Sequence, residues 1–167
     1  MAPPTEGPLA EYDGYYRKSD RFEIEPARFE KALDRGDDGA WGVGALVVDD
    51  GRGLFVREGD LWLLPGGRLE EGERLAAGAR REVLEETEVE VEITGLGAVA
   101  EQTFIHRETG ASYEFRFATF VARPVGSAAT TPENPDDHAI DEIEWFETIP
   151  EETFDRDLVS RLFEAYV

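Results

Sequence analysis

Apolar and polar positions along the chain fall into runs of two different periods. "WGVGALVVDDGRGLFVRE" holds two β-rich runs, Val43 to Val48 and Leu54 to Arg57, around an Asp-Gly turn, and so predicts a hairpin. "LWLLPGG" follows as a short apolar strand stopped by Pro65 and two glycines, which free the backbone for unusual φ values. Helical spacing then runs from about Glu73 to Thr87, after which Val89 to Val99 and Tyr113 to Val121 alternate as strands around the turn "HRETGAS". "IDEIEWFETIP" gives a last strand, and Glu151 to Tyr166 a closing amphipathic helix with Phe154, Leu158, Leu162 and Phe163 turned inward. The pattern is mixed α and β, without an internal repeat.

Ahead of Trp41 the signals are thinner. "EPARFEKALDRG" predicts a short helix with Pro26 near its start, apolar Phe29, Ala32 and Leu33, and Gly36 as its stop. Residues 1 to 20 read as a loosely structured arm able to dock through Tyr12, Tyr15 and Tyr16. The chain therefore divides into an N-terminal extension with a short helix, residues 1–40, and a main domain, residues 41–167. Near its end "RPVGSAATTPENPDDHA" is too long and polar for a tight connection, which makes it a candidate functional loop.

Charge changes this picture more than length does. A chain of 167 residues suits one globular core. Its 38 acids against 17 lysines and arginines, a net charge of −21, leave no clustered cations for a polyphosphate strand, so a nucleic acid polymer is not the expected partner. Lysine occurs only at positions 18 and 31, a balance that resembles the acidic, hydrated surfaces of proteins from salt-loving microbes. Cysteine is absent, which excludes disulfides, thiolate metal sites and a thiol nucleophile. No apolar stretch reaches the roughly 20 residues that span a bilayer, and the first residues lack the layout of a signal peptide, so the expectation is a soluble, cytoplasmic protein away from membranes. A homodimer is compatible with these properties.

The acids of one segment are arranged rather than scattered. At about 100° per residue, Glu82, Glu85 and Glu86 fall on one stripe of the helix beside the apolar set Ala76, Ala79 and Val83. Like charges at this spacing cost a helix roughly 0.2 to 0.5 kcal/mol per pair, and a hard divalent cation, which prefers oxygen ligands and bridges carboxylates to phosphates, would offset that cost. Arg81 stands one turn before Glu85 and can orient it, while Gly66 or Gly67 can turn a backbone carbonyl toward the same ion.

Gly67, then Glu73, then Arg81-Glu82-Val83-Leu84-Glu85-Glu86 and an aliphatic Val89 reproduce nearly the whole signature of the Nudix hydrolase family, which this chain resembles over about residues 40 to 166. The resemblance implies an α+β fold, an α/β/α sandwich with a mixed β-sheet. It implies a magnesium- or manganese-dependent hydrolase that cleaves the diphosphate linkage of a nucleoside diphosphate derivative. ADP-ribose or another nucleotide sugar is slightly favoured over a nucleoside triphosphate, and the alternative is a catalytically silent nucleotide sensor. The implied catalytic residues are Glu73, Arg81, Glu82, Glu85 and Glu86. Of these Glu85 and Glu86 bind metal, Glu82 serves as ligand or base, the carbonyl of Gly66 adds a contact, and Glu73 with Arg81 supports the carboxylates. One position departs from the pattern: Glu88 stands where the family has glycine, so either it adopts a left-handed conformation at roughly 1 kcal/mol or the helix exit is reshaped. The marks that divide the family by substrate, including the proline of ADP-ribose enzymes and the coenzyme A type motif, are missing.

Outside this block Glu133, Asp136, Asp137 and Glu142 are candidates for a further acid, and each is also readable as solvated. His106 and His138 are readable as proton shuttles or as ordinary turn residues. Arg57, Arg107, Arg116 and Arg123 are candidate phosphate clamps, whereas Trp41, Trp62, Tyr113, Phe115 and Phe117 read as packing residues. Glu70, Glu71 and Glu90 read as general surface acidity.

Overall fold

The strand at the centre of the fold, β2 (Trp41–Asp49), shows how the sheet is covered on both faces. Its side chains alternate: Val43, Ala45 and Val47 enter one buried cluster, while Leu46 enters another with Val48 packed against it. In this computed structural model, which describes residues 9–126 and 140–167, the chain turns from β2 through Asp50 and Gly51, both at positive φ, into β3 (Arg52–Glu58). That two-residue turn is the expected hairpin, yet only Val48↔Gly53 and Asp49↔Arg52 pair. Beyond them β3 leaves to pair with β4 (Leu61–Leu63) and β8 (Glu142–Phe146).

The vacated flank of β2 is taken by a short strand, β5 (Gly66–Arg68), antiparallel to it. On its other side β2 runs parallel to β7 (Ser112–Pro124), which pairs antiparallel with β6 (Val91–His106). β6 in turn runs parallel to β1 (Tyr16–Ile24), giving the order β1-β6-β7-β2-β3-β4 in a mixed sheet. α2 (Leu75–Thr87) buries Leu75, Ala79 and Val83 on the face carrying Val43, Ala118 and Phe120. α3 (Arg156–Tyr166) buries Leu158, Val159, Leu162 and Phe163 against Leu46, Phe55, Ala98 and Ala100 on the opposite face. Each Leu, Val or Phe among them contributes about 1.5–3 kcal/mol by leaving water. The result is the expected α/β/α sandwich. α1 (Pro26–Asp34) closes a third, small cluster with Ile24, Phe29, Ala32 and Tyr113, while Leu33, expected inside, is exposed.

Two expectations are corrected. Residues 1–20 are not wholly a loose arm: Leu9 is buried, the Tyr12 ring meets Phe120 edge-on at 5.5 Å, and Tyr16 opens β1, whose nine residues all pair with β6. The closing helix begins at Arg156 rather than Glu151, and Phe154 is 53% exposed instead of inward. The strands expected over Val89–Val99 and Tyr113–Val121 also run longer. In β6 the register shifts between Ile93 and Gly95 and between Leu96 and Ala98; the second shift sends Leu96 and Ala98 to opposite faces and breaks the simple alternation. The candidate loop with Glu133, Asp136, Asp137 and His138 lies outside the described residues.

Candidate active site

α2 lies over β5 and the start of β2, and this contact turns two of its glutamates inward. Glu82 and Glu86, one helical turn apart, are 8% and 7% exposed. Gly67 is paired with Val43, and a Cβ on it would sit 2.5 Å from the Glu82 carboxylate, so the absence of a side chain there is what admits Glu82. Within the helix Gly78 serves the same purpose: a Cβ would meet Leu69, Glu73 and Val43 at 2.6–3.0 Å. The Gly66 amide donates to Glu86 Oε1 at 3.1 Å. The contact between Gly66 and the helix acids thus runs through its N–H.

Arg81 organises the remaining acids. Its Nε and Nη2 donate to the two oxygens of Glu73 at 2.7 and 2.9 Å, a bidentate pair, and Nη1 donates to Glu82 Oε1 at 2.8 Å and Glu85 Oε2 at 3.0 Å. Nη2 also donates to the Arg68 carbonyl, which ties the helix to β5. The hydrogen bonds from Arg81 hold the Glu73 carboxyl below the usual range against the opposing effect of burial. The Arg81 guanidinium is raised in turn, chiefly by Glu73. Glu85, 42% exposed at its side chain, faces this cation from the solvent side.

Glu86 has no such partner. Burial pushes its carboxyl up to about 8; the Gly66 N–H opposes this, and Glu82, Glu58 and Glu85 add repulsion. As placed, the acids do not converge: among the described residues no group of three or more acidic or histidine side chains forms a metal-holding cluster, because Glu82 and Glu85 turn to Arg81. The chemistry of the donors nevertheless fits a hard divalent cation. The side-chain donors are all carboxyl oxygens, and among the described residues Glu86 has no cation beside it, so a bound cation would favour its charged form.

A cavity of about 280 Å³ opens beside Glu86 and Gly66, walled by Phe115, Phe117, Gln102, Phe154 and Glu58. A larger one, about 850 Å³, lies on the other side of α2 between Tyr12, Arg74 and Arg80; it holds Glu73 but none of Glu82, Glu85 and Glu86, so the smaller cavity is the one at the chemistry. Sequence reasoning missed Glu58, Gln102 and Phe154. Glu58 sits in "VREGD", which carries only a turn signal, and the other two become neighbours of Glu86 only through the pairing of β6 with β7 and the docking of α3.

The other candidates fall away from this centre. His106 Nδ1 accepts from the amides of Glu108 and Thr109, both at 3.1 Å, and so ties the β6–β7 turn. Arg57 pairs with Glu142 across β3 and β8, Arg107 with Glu25 and Arg123 with Glu92, while Arg116 lies over the Trp41 ring. None of these arginines lines the cavity beside Glu86. Trp62 packs edge-on against Phe146, as expected of a packing residue. Glu88 has φ 60° and ψ 16° and donates its N–H to the Leu84 carbonyl at 2.9 Å. The helix therefore exits through the left-handed turn of the family pattern, with a glutamate in the glycine's place.

A mixed sheet between two helical layers, with a glycine pair under a helix bearing inward glutamates, defines a recognisable class of domain. A family model described as the NUDIX domain matches residues 39–156. The chain belongs to that family. A curated MutT-like protein of Streptomyces ambofaciens is 45% identical over 63 residues, which is 36% of this chain and only 41% of that protein. The match thus spans about two-fifths of that relative. A solved UDP-X diphosphatase shares the fold at TM-score 0.58, with 22% identity over 86% of this chain and 71% of that one. An ADP-ribose pyrophosphatase from Streptococcus suis does so at TM-score 0.56, with 19% identity over 75% and 90%.

Proposed function

We propose that the protein hydrolyses the diphosphate linkage of a nucleoside diphosphate derivative with the help of a divalent metal, magnesium or manganese, and that ADP-ribose or a nucleotide sugar is the favoured substrate type. The observation that carries this reading is Glu86: a buried carboxyl that has no cation partner among the described residues, accepts one amide from a glycine pair and opens to a cavity. The names of the two solved neighbours, a UDP-X diphosphatase and an ADP-ribose pyrophosphatase, support the substrate type.

Glu82, Glu85 and Glu86 would hold the metal. When bound, it supplies charge neutralisation of the diphosphate and acidification of water. The chain's residues do the rest. Gly66 fixes the direction of the Glu86 carboxylate, and Arg81, locked by Glu73, fixes Glu82 and Glu85. Glu82, held by Arg81, would serve as ligand or as the acceptor of the proton released when water attacks phosphorus, after which the bond to the bridging oxygen breaks and the second phosphate departs. The acidic walls, Glu58 among them, repel a free diphosphate, so productive binding depends on cation loading. A silent sensor would have no need to keep all three helix acids.

The test is Glu86→Gln, assayed for nucleotide release from ADP-ribose with magnesium or manganese. Turnover is expected to drop about 100-fold or more, with the thermal midpoint of the metal-free protein unchanged or raised. Full turnover by this variant, or by the parent in excess chelator, would overturn the reading.

A further inference from the structure

The mixed sheet ends in β1, a regular strand of nine residues that pairs with β6 on one side. Ile24 accepts the Arg107 amide just past the end of β6, so by the two-residue period of a strand the even-numbered residues of β1 bond inward. The amides and carbonyls of Arg17, Ser19, Arg21 and Glu23 therefore point outward. No proline, glycine or register shift interrupts this edge. α1 leaves it open, since Phe29 packs inboard of it on His106 and Tyr113. An edge of this length is normally blunted by charge, but most of the charges here are engaged within the chain. Arg17 pairs with Glu101, and Lys18 with Asp155 at 2.5 Å and Asp20 at 3.6 Å. Arg21 and Glu23, both exposed, have no side-chain partner among the described residues. Between them Phe22 ends an aromatic row that crosses three strands. Buried Tyr113 stacks on Phe104 at 5.0 Å and Phe104 on Phe22 at 5.4 Å, where the row stops in water with Phe22 41% exposed.

We infer that the free edge of β1 is the interface of a twofold dimer, in which the β1 strands of two copies pair antiparallel, with Phe22 opposite Phe22 on the axis and Arg21 of each copy opposite Glu23 of the other. Only registers that set odd residue against odd residue bring the outward backbone groups together. Centring on Lys18, Asp20, Arg21 or Glu23 would place that charge against itself, and centring on Ser19 would oppose Arg17 to Arg21. Centring on Phe22 makes two opposite-charge pairs from the two unpaired residues and carries the aromatic row through both sheets. Phe22 then occupies a non-hydrogen-bonded position, where facing side chains approach most closely. A twofold axis uses both outer edges at once, so assembly closes at two. With a net charge of −21 on each copy, long-range repulsion opposes the contact at low ionic strength. At 1 M salt its range is about 3 Å, which removes the repulsion and leaves the direct contacts in place. The dimer is therefore one of high salt, and it is independent of the proposed hydrolysis.

The test is sedimentation equilibrium of the full chain in low and in molar potassium chloride. The parent is expected to be a monomer in the first and a dimer in the second, with no larger species. In molar salt Arg21→Glu and Glu23→Arg should each weaken the dimer about tenfold, although the second also lowers the net charge. Phe22→Ala should weaken it to a similar degree, about tenfold. An equimolar mixture of the two charge variants, in which each altered strand again faces its opposite, should regain the parent's affinity, as should the chain carrying both exchanges. That recovery separates a lost pair from a damaged fold. A parent that stays monomeric in molar salt, single variants that associate as the parent does, or a mixture that fails to recover would each overturn the assignment.

Discussion

At the level of single residues, Glu88 pays for a helix exit that glycine would make without strain. Its left-handed φ costs a side-chain-bearing residue about 1–2 kcal/mol, and glycine returns part of that gain through its freer unfolded state. Glu88→Gly is therefore expected to raise the urea midpoint by a stability of about 1 kcal/mol or less and to leave turnover untouched, because no contact in the acid cluster involves Glu88. A lower midpoint would mean that the exit is not strained. The sequence marked this position but could not choose between strain and reshaping, since the choice depends on whether α2 keeps its bond to Leu84. The acids show the same division. Their stripe is plain from spacing, yet that Glu82 and Glu86 are buried while only Glu86 lacks a cation follows from β5 lying beneath the helix, a contact between segments that periodicity does not report.

Among elements, the joint that deserves a pH test links α1 to β5. Asp37, just after α1, accepts from Arg35 Nη2 at 2.7 Å and from Arg68 Nη1 at 2.6 Å. Burial pushes its carboxyl up, but the two guanidiniums together outweigh this and hold it below its ordinary value. A carboxyl lowered by folding stabilises the fold above its unfolded value, near 3.9, and that contribution fades as pH falls through the lower folded value. Both arginines are largely exposed, so screening limits the effect to about 1 kcal/mol. Asp37→Asn should therefore melt below the parent at pH 7, and the gap should close as pH falls through the lowered folded value; a constant gap would show that the loss is not electrostatic. α1 itself was legible from Pro26 and Gly36. β1 was not, because "YRKSDRFEI" is the outer strand of the sheet, and its half-buried face carries Lys18 and Asp20 beside Tyr16, Phe22 and Ile24, which breaks the apolar alternation. The length of β6 was hidden by its register shifts, each of which restarts the pattern.

For the molecule as a whole, net charge sets the conditions under which the fold is comfortable. With 38 acids and 17 lysines and arginines, self-repulsion opposes compaction, and salt shortens its range to about 3 Å at 1 M. The thermal midpoint is expected to rise by several degrees between low and molar potassium chloride; a flat profile would mean that self-repulsion does not limit this fold. The family was legible because its signature, Gly67 to Val89, spans one continuous stretch, whereas the cavity was not, since its walls come from β3, β6, β7 and the approach to α3. The outer ladder has a consequence for assembly in time. β1 pairs with β6 through residues roughly eighty positions apart, as in Tyr16↔Ala98, which makes it a contact of long closure. During synthesis β1 leaves the ribosome well before β6 exists, so it must wait for a partner made some eighty residues later.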